Sequence, residues 1–328
     1  MQQKLPTNRP LFVLAPMDDV TDTVFRQIVQ STAPADLFYT EFVNVEGLQS
    51  VGRVNLLKKV RFSVHEGPLV VQLWGKDPEN FRKTAAQVAD GSLAKELGLP
   101  TGHNFAGIDL NMGCPAKSEV KNGTCSALIK NRPLALEIIN ATKEGLDGKL
   151  PLSVKTRVGF NEVDMTWIEF LLEQKLAMLT VHGRTKKQMS KVPANWDLIG
   201  EARQLRDKIA PETLLVGNGD VMSYVQGAEL AKKYQLDGIM IGRGVFHDPY
   251  VFANQSPWET ISREDRIEQY RKHVSLFAET WQNNERPIHT LNKFCKVYIS
   301  GFDGAKELRE QLMAADSAKE LLDILAKT

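Results

Sequence analysis

A thiol, a carboxamide and a tight turn fall together in Asp109-Leu110-Asn111-Met112-Gly113-Cys114-Pro115. The apolar run at residues 105–110 delivers them to a point where Gly113 lets the backbone bend and Pro115 fixes the following φ and stops the strand. A strand that ends this way puts Asn111 and Cys114 where a barrel enzyme keeps its chemistry. Taken alone, the segment equally describes a buried structural cysteine, since free Cys behaves mostly as a small hydrophobe. Two further segments suit a phosphate group. Gly217-Asn218-Gly219-Asp220 and Ile241-Gly242-Arg243-Gly244 offer small residues whose N–H groups can approach an anion, and a guanidinium able to bind two phosphate oxygens. Each motif alone is also an ordinary Gly-rich turn. Lys155 can neutralise an electron-rich ring or a second anionic position, Gln72 can offer donor and acceptor to a heterocycle edge, and His182 and Arg184 add donors. The set suits a planar, phosphorylated, hydrogen-bonding cofactor such as FMN. A hydrolase or aldolase would use paired carboxylates, a metal cluster or a Schiff-base lysine instead.

The elements that must position these groups are short runs rich in Val, Ile and Leu at residues 11–16, 37–42, 68–73, 105–110, 152–156, 178–181, 214–216 and 238–241. Near-continuous apolar runs are expected of parallel strands covered on both faces. Amphipathic helical stretches lie between them, as at residues 77–97, where Pro78 suits the first turn and Phe81, Ala85, Val88 and Ala89 share a face. Eight such units predict an α/β fold, a TIM (β/α)8 barrel over residues 1–254. The polar residues after its strands (Met17-Asp18, Glu41, Gln72, Asn111 with Cys114, Lys155 with Arg157, His182 with Arg184, Asn218 to Asp220, Gly242 to Gly244) then lie at the catalytic, C-terminal face. Residues 255–328 read as a small all-helical domain, with Ser262 a candidate N-cap and helical segments at 265–283, 289–300, 305–314 and 317–326.

Composition narrows the class. The 328 residues are 42% hydrophobic and 25% charged, ordinary for a soluble globular protein, and contain no apolar run long enough to span a membrane. The first ten residues lack the apolar core of a signal peptide, and three scattered cysteines make neither a disulfide framework nor a zinc knuckle, so a cytoplasmic protein is expected. The six histidines lack metal-ligand spacing, and no metal site is expected. The net charge of +1, with 11 Lys and Arg against 12 Asp and Glu from Ser256 onward, means that any polyanion site is a local stripe.

Together, Ala15-Pro16-Met17-Asp18-Asp19-Val20-Thr21-Asp22-Thr23-Val24-Phe25-Arg26, Asp109 to Pro115, Ser153-Val154-Lys155-Thr156-Arg157, Val181-His182-Gly183-Arg184-Thr185 and Ile241 to Gly244 closely resemble the tRNA-dihydrouridine synthases over residues 11–252. The resemblance implies an FMN-containing barrel with a helical C-terminal domain, using NADPH to reduce a uridine of tRNA. It implies flavin contacts from Pro16, Met17, Asp18, Gln72, Lys155, His182, Asn218, Gly219, Asp220, Gly242 and Arg243. It further implies Cys114 as proton donor and Asn111 and Arg157 as uracil contacts, and Arg184 is placed with the substrate residues. The expected partner is tRNA, held in part by residues 255–328 through Arg271, Lys272, Lys293 and Lys296, with the chain a monomer.

The sequence departs from the family pattern in three places. Asn122 to Leu128 replaces a Gly-rich run and contains Cys125, Lys186 to Lys191 lacks an aromatic residue, and the linker Gly98 to Asn104 is long. Two other readings are a barrel flavoprotein for a small molecule, such as a dihydroorotate or enone reductase, and a non-catalytic RNA-binding barrel. Cys114-Pro115 after Asn111 and the helical appendage speak against the first. Retention of Cys114, Lys155 and Arg243 together speaks against the second.

Overall fold

The computed structural model describes residues 5, 6 and 8–328, so much of the amino-terminal segment read above lies outside the described residues. Eight parallel strands, β1 (Leu11–Leu14), β2 (Phe38–Asn44), β3 (Leu69–Trp74), β4 (Gly107–Met112), β5 (Leu152–Arg157), β6 (Met178–His182), β7 (Leu214–Asn218) and β8 (Gly238–Ile241), follow one another around the sheet. β1 returns to pair with β8 along its length. The circle closes between β1 and β2 by a single parallel bridge, Val13 to Leu37, with the Leu14 N–H donating to the Leu37 carbonyl at 3.0 Å. This is the TIM barrel that the sequence predicts.

Several strands run one or two residues beyond the apolar runs. Asn44, Asn111, Arg157, His182 and Asn218 all belong to the ladder, because backbone hydrogen bonds are indifferent to side-chain polarity. The extension matters for function, since register then sets polar residues side by side: Gln72 beside Asp109, Asn111 beside Lys155, Arg157 beside His182 and His182 beside Asn218. Alternation along the strands separates two apolar layers. Leu11, Val13, Tyr39, Val70, Met178, Val216 and Met240 fill the barrel, while Phe12, Leu14, Val71, Val154 and Leu179 face the helices.

The helix Pro78–Ala89 starts as its residues dictate, with the Asp77 carboxylate accepting from the N–H groups of Glu79 and Asn80, Pro78 in the first turn, and Phe81, Ala85 and Val88 buried. The long linker Gly98 to Asn104 joins an additional short helix, Ser92–Glu96, to β4, and Asn104 fastens it by donating to the Val88 carbonyl at 2.7 Å.

After β8 the elements are helical: Arg263–Thr280, Asn292–Tyr298, Ala305–Ala314 and Ala318–Leu325, with short 3-10 turns between the first two. Ser262 caps the first of these, its hydroxyl accepting from the Asp265 N–H at 3.0 Å. The expected helix at 289–300 is instead a 3-10 turn, Ile288–Leu291, followed by a shorter helix. These helices share one apolar core with the barrel, where Phe25 stacks on Phe294 with ring centres 4.9 Å apart. Polar contacts reinforce the junction. The Trp281 indole donates to Asp22 at 3.0 Å, and Arg286, nearly buried, pairs with the fully buried Glu41 of β2 while its guanidinium lies 4.9 Å from the Trp281 ring centre.

Candidate active site

A cavity of about 310 Å³ opens at the C-terminal ends of the strands. Pro16 and Met17 follow β1, Lys155 and Arg157 end β5, His182 ends β6 with Arg184 just beyond, Asn218 ends β7 with Gly219 and Asp220 just beyond, and Gly242 and Arg243 follow β8; all of them line it. Gly219 has φ +134°, and a Cβ there would lie 2.5 Å from the Ala194 Cβ, so the turn tolerates no side chain. A Cβ on Gly242 would reach only ordinary contact with Ala15 and Met17, so a side chain at that position would occupy cavity space.

The electrostatics are one-sided. Lys155, Arg157, Arg184 and Arg243 line the cavity against one carboxylate, Asp220, which brackets two of them: it accepts from Arg243 at 2.8 Å and from Arg184, and also from the Ala194 N–H at 2.9 Å. Burial, with Arg157 beside it, brings the Lys155 ammonium down to about 8, and burial brings Arg157 down to about 10. His182 titrates well below its ordinary range, first because it is buried and then because it faces Arg157, Lys155, Arg184 and Arg243. It is therefore neutral at pH 7. Its Nε2 lies 3.4 Å from an Arg184 Nη, and a guanidinium can only donate, so the lone pair is on Nε2 and the proton on Nδ1.

Four expected site residues do not line the cavity. Asp18 instead pairs with Lys59. Gln72 is wholly buried in a chain beneath the floor: its Nε2 donates to Asp109 at 2.7 Å, and its Oε1 accepts from the Asn111 amide at 3.0 Å. The Asn111 oxygen in turn accepts from the N–H groups of Gly113 and Cys114 at 3.1 and 2.9 Å, so this carboxamide shapes the cysteine turn from inside. Asp109, which also accepts from Ser153 at 2.6 Å, is raised to about 6 by burial against those hydrogen bonds and the nearby Lys155. Cys114, partly exposed, turns its sulfur to Cys125 and only its neighbour Pro115 reaches the cavity. The S–H donated by Cys125, opposed by burial, lowers the Cys114 thiol to about 7, while that of Cys125 is pushed well up.

Arg157 ties two loops together. Its Nε donates to the Gly113 carbonyl at 2.8 Å and its Nη1 to those of Thr185 and Met189, both at 3.1 Å, which leaves the two N–H groups of Nη2 for a ligand. Sequence reasoning missed Met189 and Met222, which present half-exposed thioethers at the cavity rim. Met189 stands in the stretch that lacks an aromatic residue, and neither methionine carries a sequence signal. A cluster of Asp18, Asp19 and Glu41 brings three carboxylates together, and Lys59 and Arg286 neutralise it.

The family model described as "Dihydrouridine synthase (Dus)" matches residues 13–328. The chain belongs to this family. Family membership extends through the carboxy-terminal helices, further than the motifs alone, and the oxidoreductase class expected from the sequence is that of the family. The chain is 45% identical over 321 residues to a protein of Staphylococcus aureus (strain Mu50) named "Probable tRNA-dihydrouridine synthase", covering 96% of this chain and 93% of that one. It is 43% identical over 320 residues to "Probable tRNA-dihydrouridine synthase 2" of Bacillus subtilis (strain 168), covering 97% and 93%. Among solved structures, histamine dehydrogenase from Rhizobium sp. 4-9 shares the fold, with a TM-score of 0.52 at 12% identity over 81% of this chain and 48% of that one. No helix among the described residues is long and apolar enough to cross a membrane.

Proposed function

We propose that this dihydrouridine synthase family member holds FMN in the barrel mouth, is reduced by NADPH, and saturates the C5–C6 bond of specific uridines in tRNA, with Cys114 as the proton donor. The observation that carries the reading is the cavity itself: four cationic side chains against one carboxylate, a neutral histidine, and Gly242 where a side chain would occupy the space. That combination fits an anionic, planar group larger than a free phosphate. Arg243 and Arg184, already bracketed by Asp220, suit the phosphate, and the Lys155 ammonium suits the electron-rich part of the ring.

A flavin held there would provide the hydride chemistry needed at C6 of the uracil. The chain's own residues supply the rest. Arg157, with two N–H groups still free, can offset negative charge developing on a uracil carbonyl. Asn111 acts by holding the cysteine turn from below. Cys114 delivers its proton to C5, for which its sulfur turns away from Cys125 toward the cavity beside Pro115; a thiol near 7 is both present as acid and readily regenerated at neutral pH.

A polyanionic substrate fits the surroundings. Lys117 and Lys121 follow the cysteine turn and Lys187 and Lys191 follow β6, all exposed, while Lys130 and Lys186 lie 5.1 and 5.0 Å from the Phe160 ring centre. This stripe favours RNA over a small substrate. In the helical part, Lys272 and Lys296 are exposed as expected for phosphate contacts, whereas Arg271 pairs with Glu268 and Lys293 donates to the Asp19 carbonyl at 2.6 Å, a contact to the barrel. The deciding experiment is Cys114→Ala: the variant should remain yellow and be bleached by NADPH, yet form little dihydrouridine in tRNA. Full turnover by this variant, or a colourless protein after FMN addition, contradicts the reading.

A further inference from the structure

We infer that Cys114 and Cys125 form a reversible redox pair, in which Cys125 resolves an oxidised Cys114 into an intramolecular disulfide. Cys125 is fully buried and has no part in the chemistry proposed above, yet the backbone sets it beside Cys114, and each thiol shifts the titration of the other. It holds the left-handed conformation, φ 55°, at the start of the turn Cys125–Lys130, an unfavourable backbone state for a residue with a Cβ. Hydrogen bonds keep it there: the Ser126 N–H donates to the Cys114 carbonyl at 3.3 Å, and the Thr124 hydroxyl and N–H both donate to the Glu119 carbonyl, at 2.9 and 3.1 Å. The backbone thus brings the two thiols together across a short loop.

Access orders the chemistry. Cys114 is partly exposed beside the cavity, whereas Cys125 and Cys295 are buried, so a small oxidant meets Cys114 first. With a hydroperoxide, the Cys114 thiolate attacks oxygen: an S–O bond forms, the O–O bond breaks, and the departing oxygen leaves as water after taking a proton. Cys125 sulfur then attacks the Cys114 sulfenic acid. The S–S bond forms, the S–O bond breaks, and hydroxide leaves with the Cys125 proton as water, so the pair has given two electrons to the peroxide. The disulfide carries no dissociable proton. If Cys114 is the proton donor, as proposed above, the enzyme is switched off until a thiol reductant restores it.

The test oxidises the full-length protein, as purified, with hydrogen peroxide and maps its peptides without reduction. The expected product is a Cys114–Cys125 cross-linked peptide, with an intact mass lower by two hydrogens and reversal by dithiothreitol, Cys295 remaining a free thiol. In Cys125→Ser, the same treatment should carry Cys114 to sulfinic and sulfonic acids that dithiothreitol does not reverse. The inference is overturned if wild-type Cys114 accumulates sulfinic acid as fast as in Cys125→Ser, or if the wild type shows no 114–125 link. Because these readouts are masses, they stand apart from turnover on tRNA; a mapped disulfide with undiminished dihydrouridine formation would instead count against Cys114 as the proton donor.

Discussion

Arg243 has a guanidinium that is 61% exposed, held on one side by Asp220 at 2.8 Å and open on the other. If it binds the flavin phosphate, Arg243→Ala removes a charge-assisted contact of about 1.5–3 kcal/mol, which lowers FMN affinity roughly ten- to a hundredfold in a fluorescence titration with the fold intact. Unchanged affinity would move the phosphate elsewhere. The residue could be picked out from sequence only because two Gly-rich turns, Gly217 to Asp220 and Ile241 to Gly244, follow the last two strands together. Gln72 and Asn111 were harder to read. Their strand-end positions mark the correct end of the barrel, but not whether a side chain turns into the cavity or sideways onto the next strand, and the chain from Asp109 through Gln72 to Asn111 exists only once β3 and β4 are in register. Asp18 lost its expected place to a lysine from the segment after β2, a partner that local spacing cannot announce.

Elements were legible where composition is uniform and blurred where function intrudes. The Val, Ile and Leu runs located every strand, but polar residues at the mouth continue the ladder and hide its ends. The helix after Ser262 was placed by its cap, and it stops at Thr280 where Trp281 turns toward Asp22. The loop after β6 shows what this fine structure does. Arg157 holds its Thr185 and Met189 carbonyls and the Gly113 carbonyl of the cysteine turn at once. Arg157→Ala leaves these acceptors without their donor and uncouples the two loops. Trypsin, which cleaves after lysine, should then cut at Lys186, Lys187 or Lys191 several times faster than in the wild type, while barrel circular dichroism is retained. Equal cleavage rates would show that the loops are held by other contacts.

At the scale of the molecule, the junction between barrel and helices was invisible to sequence reading, since Arg286 and Glu41 lie 245 positions apart. Burial raises the Glu41 carboxyl from its ordinary value even with Arg286 and Lys59 beside it. Arg286→Ala leaves that buried charge with Lys59, 3.7 Å away, as its remaining cation and the Asp19 N–H as a donor at 2.8 Å, and should cost toward the low end of about 3–5 kcal/mol at pH 7 in chemical denaturation. Its pH dependence has a definite sign. A carboxyl raised in the folded state binds its proton more tightly there than in the unfolded chain, so it weakens folding as pH rises through that window, and the variant raises it further. The deficit of Arg286→Ala should therefore shrink as pH falls toward 5. A deficit that grows in acid would show that Glu41 is not the group responsible.

The single Val13–Leu37 bridge between β1 and β2 gives this barrel a seam, and the seam lies between the segments that carry Asp22 and Glu41, the two residues gripped by Trp281 and Arg286. The clasp is thus encoded after all eight strands. A ribosome makes the chain from its amino end, so a nascent chain that has completed β8 at Ile241 has a full set of staves and no hoop. Residues 242–286 must emerge before the first and second strands are fastened. A chain stopped at residue 254 should fold only to an open-seamed form, with β1 and β2 amides exchanging with solvent well ahead of those in β4 to β7. The helical tail is then a part of finishing the barrel.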